Sequence, residues 1–155
     1  MNPSLILLAA LGSNPCTGGT ENWESASEVE QFYLEFALEL TVAALDGNDL
    51  FLDSRIAADA EIIRRSHVGQ IYTGPEGFAE LFRSIDADRY VLQGVDPFNV
   101  PPPPPGVCPD RSLEIEFFSA SFDNRSRVRF DFEGMQLVRA ESSNYAITSG
   151  SLTRH

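Results

Sequence analysis

At 155 residues, 43% of them hydrophobic and 22% charged, the chain has ordinary globular composition and the length of one domain with a core of its own. Eleven basic residues, all of them Arg, stand against twenty-three acidic ones, and the formal net charge of −12 repels phosphate backbones and anionic headgroups. Nucleic acid is therefore no expected partner. No stretch approaches the roughly twenty apolar residues of a membrane span, and two cysteines without partner histidines make no zinc site, so neither metal nor cofactor is expected.

Residues 1–26 read as a flexible or leader-like segment and 27–155 as the domain. Ser4 to Gly12 is an apolar run with Ala10 and Gly12 spaced like a leader-peptidase site, but it is short and lacks a basic start. Pro15 directly before Cys16 departs from a lipoprotein box. Cys16 and Cys108, each beside a proline, permit one disulfide in an oxidising compartment. Asn124-Arg125-Ser126 is a glycosylation sequon. These features leave the compartment open, with cytoplasm the default and secretion the alternative.

Ser27 reads as the cap of a first helix with Glu28 and Glu30 in its opening turn. Val29, Phe32, Tyr33, Phe36, Leu40, Ala43 and Ala44 recur at spacings of three and four, which gives the helix one apolar stripe. Asp46-Gly47-Asn48 ends it, and a short second helix follows over Asp49 to Ala58. Glu61 to His67 reads as a strand and Gly69 to Gly74 as a turn. Pro75 then opens a third helix, whose buried stripe is Phe78, Leu81, Phe82 and Ile85.

From there the period becomes two. Tyr90 to Val95 is a strand leading to five consecutive prolines, Pro101 to Pro105, which cannot join a ladder. Leu113, Ile115 and Phe117 alternate with acids, and a slip to Phe118, Ala120 and Phe122 points to a bulge near the Phe117-Phe118 pair. Asp123-Asn124-Arg125 reads as a hairpin turn. Val128, Phe130 and Phe132 alternate with charged residues, and Gly134 marks a second bulge. Leu137 to Ala140 and Tyr145 to Leu152 close the pattern as two further strands. Helices followed by long alternating strands make an α+β domain with the helices on one face of an antiparallel sheet.

Phe32-Tyr33, Asp46-Gly47-Asn48-Asp49-Leu50, Ala57-Ala58-Asp59-Ala60-Glu61-Ile62-Ile63 and Thr73-Gly74-Pro75-Glu76-Gly77-Phe78 together resemble the nuclear-transport-factor-2-like (NTF2-like) superfamily, in its SnoaL-like branch. The resemblance spans residues 30 to 86, and its motifs encode turns and caps rather than chemistry. It implies a cone-shaped, cystatin-like fold in which three helices close a curved sheet around an apolar pocket, often paired into a homodimer. Known members include polyketide cyclases, ketosteroid isomerases, dehydratases and epoxide hydrolases beside non-catalytic binding or dimerisation modules, so fold alone does not choose between them.

The isomerase pattern fails on the aligned residues. Arg64 stands where that subfamily has its base Asp, and Thr41 where it has its oxyanion-stabilising Tyr. Of the two histidines His155 is terminal, which leaves His67 inside the fold, and an imidazole's ordinary pKa near neutral suits an acid or base; the alternative is an ordinary turn histidine. Tyr72 is a candidate donor at the same rim or a half-buried turn aromatic, and Arg64 an anion or oxyanion contact or the partner of a helix glutamate. Arg129 and Asp131 reproduce the R-x-D pair of the family's epoxide hydrolases, but the alternation sets Phe130 against them and favours an exposed ion-pair face. Tyr33, Phe36, Phe78, Phe82, Phe117, Phe130 and Phe132 are the candidate ligand contacts. The expected function is cofactor-independent acid–base chemistry on a hydrophobic cyclic or polyketide-like small molecule. A non-catalytic ligand-binding or dimerisation module is the alternative.

Overall fold

Helix α1 (Ala26–Asp46) forms over the residues whose apolar spacing predicts it. Val29, Tyr33, Phe36, Ala37, Leu40, Ala43 and Ala44 are buried along one face, and Glu28 lies in the first turn, where its charge complements the helix dipole. The helix already includes Ala26, so Ser27 sits within the first turn rather than ahead of it. The structure, a computed structural model, describes residues 26–65, 69–85, 87–96, 110–119 and 124–146. The leader-like segment, Cys16, His67, Pro101 to Pro105, Cys108, Ala120 and Phe122 lie outside the described residues.

Gly47 turns the chain with φ of 71°, and the Asn48 side chain then caps α2 (Asp49–Arg55), accepting from the Phe51 amide at 3.3 Å. This helix ends before the expected Ala58. Ile56 is buried and already extended, paired with Leu137 across the sheet, so tertiary pairing overrides local helix preference. Strand β1 runs Ile56–Arg65 and pairs antiparallel with β2 (Gln70–Thr73), a segment whose composition reads as a turn. Helix α3 (Gly74–Arg83) follows, with Pro75 in its first turn and Phe78, Leu81 and Phe82 buried.

The remaining strands are β3 (Arg89–Asp96), β4 (Asp110–Ser119), β5 (Asn124–Glu133) and β6 (Gln136–Ala146). The six form one curved sheet in the order β2-β1-β6-β5-β4-β3, antiparallel except for the parallel pair β1 and β6. The architecture is α+β, with the helices packed on the concave face of that sheet.

Four expectations need correction. Strand β4 pairs with β5 without interruption through Phe117 and Phe118, so the apolar pattern does not slip there. Phe118 faces outward, where the guanidinium groups of Arg125 and Arg89 lie 5.0 and 5.9 Å from its ring centre. Gly134, with φ of 57°, sits in the two-residue turn between the paired Glu133 and Gln136, and the irregularity expected near it lies further along the hairpin, where the register shifts between Asp131 and Phe132. Leu137 to Ala140 and Tyr145 belong to one strand, not two, and Asn124 and Arg125 lie in β5 rather than in a turn.

Two glycines on opposite footings test this layout. Gly74 has φ of 69°, and an added Cβ would lie 2.7 Å from the Ala58 carbonyl oxygen, whereas Gly47 has similar φ and open space around it. Gly74→Ala is expected to cost about 2 kcal/mol or more and Gly47→Ala about 1 kcal/mol in urea unfolding. A second expectation concerns Glu39, whose carboxyl is pushed up chiefly by burial, with Arg55 pulling it down and Glu35 pushing it up. A raised carboxyl favours the folded state below its unfolded value and loses that contribution as pH rises through the folded one. Glu39→Gln should therefore raise the thermal midpoint at pH 7, with the gain shrinking as pH falls through the raised folded value and gone below the ordinary carboxylate range; midpoints across pH check it.

Candidate functional site

Residues paired across a sheet point to the same face, so the register defines transverse rows. On the concave side one row is Tyr72, Ile62, Ala140, Phe130 and Leu113. The next is Gln70, Arg64, Ser142, Val128, Ile115 and Leu92, and beyond it come Ser126, Phe117 and Tyr90. Alternation along β1 puts Arg64 on the same side as the fully buried Ile62.

The expected ligand contacts form a continuous aromatic seam. Tyr33, Phe36, Phe78, Phe82, Phe117, Phe130 and Phe132 are each no more than 3% exposed. Phe78 and Phe82 of α3 stand 6.2 and 6.0 Å from Phe130, and Phe82 meets Phe117 edge-on at 5.4 Å. Tyr33 and Phe36 of α1 both lie 5.2 Å from Phe132. The Tyr33 hydroxyl donates to the Gly134 carbonyl at 2.7 Å, and burial pushes its pKa far above the ordinary phenol range. It therefore holds α1 to the β5–β6 turn as a neutral donor.

The polar end of the concave face lies one row from Phe130. The Tyr72 hydroxyl donates to Gln70 Oε1 at 2.8 Å, while its Cβ is against α3 at Gly77. Arg64 stands beside Gln70, and its Nε is buried with no hydrogen-bond partner among the described residues. Ser142, paired with Arg64 on the neighbouring strand, is fully buried, and its Oγ has no partner either. Two adjacent buried donor atoms are thus unsatisfied, at about 1–3 kcal/mol for each such buried group, although the Arg64 side chain as a whole is only half-buried. Thr41, by contrast, has its hydroxyl committed to the Ala37 carbonyl at 2.9 Å.

Arg129 and Asp131 lie on the opposite, convex face, where Arg129 Nε is 2.9 Å from Asp131 Oδ1 and Ser112 donates to the same carboxylate. They belong to a surface on which Arg65 and Arg139 hold Glu141, Arg139 also meets Glu61, Arg127 meets Glu114, and Arg125 meets Glu116. Arg89 pairs with Asp88 at the margin of that face. The phenylalanines of β5 separate all of these from the concave side. No group of three or more metal-ligating side chains occurs among the described residues, and no described helix is long and apolar enough to cross a membrane.

Sequence reading singled out Arg64 and Tyr72 but passed over Ser142 and Gln70. The signal for Ser142 is parity: Ala140 and Ser142 continue one inward set if β6 is read as a single strand.

No family model and no curated protein matches the chain. Solved structures do. An NTF2-like protein of unknown function from Silicibacter pomeroyi superposes with a TM-score of 0.55 at 13% identity, covering 77% of this chain and 98% of its own. A domain of unknown function with a cystatin-like fold from Nostoc punctiforme gives 0.52 at 12% identity, covering 77% and 78%. The chain has the NTF2-like fold.

The unpartnered state of the polar row predicts how the NTF2-like domain responds to its removal. Ser142→Ala and Arg64→Met should each leave the thermal midpoint of the ligand-free protein unchanged or higher, because each removes a buried donor that lacks an acceptor. Calorimetry of the two variants checks this, and Ser126→Ala serves as the comparison.

Proposed function

We propose that this protein is a cofactor-independent small-molecule enzyme of SnoaL-like type, acting by acid–base chemistry on a hydrophobic, cyclic or polyketide-like substrate. The observation that carries the reading is the unsatisfied Arg64–Ser142 pair at the edge of a phenylalanine-lined concave face. An apolar ligand would place an oxygen at that pair. Arg64 serves as the anion or oxyanion contact and Tyr72 as a hydrogen-bond donor at the rim. His67, close in sequence to the end of β1, serves as the acid or base. Such a homodimer as the resemblance implies would use the convex face, whose charges are matched pair by pair.

One observation favours a second reading, a non-catalytic binder. The paired concave positions of the described strands carry no carboxylate that could share proton transfer with His67.

The neutral fluorophore N-phenyl-1-naphthylamine should bind the wild type saturably with one molecule per chain, and Val128→Trp should abolish this by filling the concave face; titration of both decides whether a small molecule is taken at all. Catalysis is read by mass spectrometry over a panel of β-hydroxyketones and unsaturated lactones. His67→Ala should lose about 100-fold or more of any turnover. Probe binding without turnover in the wild type selects the binder.

A further inference from the structure

We infer that the ligand carries a carboxylate, and that Arg64 and Ser142 form its receptor. This rests on the reading that the concave face takes a small molecule, and it specifies the ligand's polar end.

Donor count comes first. The buried Nε of Arg64 is one prong of the guanidinium edge that receives both oxygens of a carboxylate side-on. Ser142 is directly paired with Arg64 on the adjacent strand, with backbones about 4.8 Å apart, and its fully buried Oγ adds a further donor. A carboxylate offers about four lone-pair sites on two oxygens and can accept from all of these together; a single carbonyl oxygen has two.

Charge comes second. On the convex face Arg65, Arg89, Arg125, Arg127, Arg129 and Arg139 each hold a carboxylate of the chain. Acids outnumber bases by more than two to one in this sequence. Arg64 nevertheless has no ion pair with any described residue, and its row continues as Ser142, Val128 and Ile115. Arg64 is half-buried, so the cost falls on its buried Nε, which has no acceptor, and a ligand anion at that edge removes it. The chain's formal charge of −12 opposes anions at long range, so any carboxylate preference must arise from this local pair.

The test uses two probes of nearly the same shape, 2-naphthoate and neutral 2-naphthamide, titrated calorimetrically at pH 7 into the full chain. Hydrogen bonds to a charged group of this kind give the wild type about tenfold or greater preference for naphthoate. Arg64→Met should bring the two probes to parity while still binding naphthamide, and Ser142→Ala should narrow the preference by about threefold. Equal affinity in the wild type overturns the carboxylate assignment and leaves the small-molecule reading standing. A naphthoate preference that survives Arg64→Met overturns it too, because the anion then sits elsewhere. If neither 2-naphthoate, 2-naphthamide nor N-phenyl-1-naphthylamine binds, both readings fall. Far-ultraviolet circular dichroism of the variants confirms that the comparison is between folded proteins.

Discussion

Everything in this molecule is held in place by the contact between the aromatic rings of two helices and those of two strands. Phe130 is its centre, within 6.5 Å of Phe78, Phe82, Phe117 and Phe132. Full burial of one such side chain contributes about 1.5–3 kcal/mol, and paired rings add about 0.5–1.5 kcal/mol each beyond that. The seam fixes where α3 crosses the sheet and, through Tyr33 and Phe36 on Phe132, where α1 lies. It also divides the sheet by chemistry. Phenylalanine, valine and isoleucine occupy the helix side of β4 and β5, and arginine–carboxylate pairs cover the other.

Against that division the Arg64–Ser142 pair is an exception of one kind only. A buried polar atom that lacks a partner reduces stability. The Nε atoms of Arg125 and Arg139 are buried without a hydrogen bond too, but those side chains hold carboxylates, which Arg64 does not. Such groups persist where function needs them, because a site ready to receive a ligand oxygen cannot also be satisfied by the chain. The convex arginines show that the sequence supplies carboxylates where an arginine is structural. Arg64 has none of those neighbours because its paired residues on the concave side are Gln70 and Ser142, neither of them charged.

The helices were legible because their stripes are long and periodic: the residues of α1 and α3 expected inside are buried, except that Phe32 is only partly so. The alternation of β5 was equally plain, and it correctly set Arg129 and Asp131 against Phe130. What misled was the equation of apolar with inward. Phe118 is apolar and outward because two arginines cover its ring, an arrangement that one-dimensional alternation cannot register. Strand β2 escaped notice because four residues on an edge, among Gly and Thr, look like a turn until β1 pairs with them. Strand β6 looked broken because Ser142-Ser143 interrupts its hydrophobic pattern. The same polar residue that hid the strand makes the candidate site.

The parallel pairing of β1 with β6 has a consequence for how the chain reaches this shape. The β1–β2 hairpin and the β3–β4–β5 meander each rest on neighbours close in sequence, yet they touch within the sheet only through β6, which lies between them. Closing Arg64 onto Ser142 joins residues far apart along the chain, and such distant pairings come late because the loop must be ordered before any contact rewards it. During synthesis, two half-sheets with unfinished edges wait for the final strand. The candidate site, which straddles that junction, is assembled at the last step.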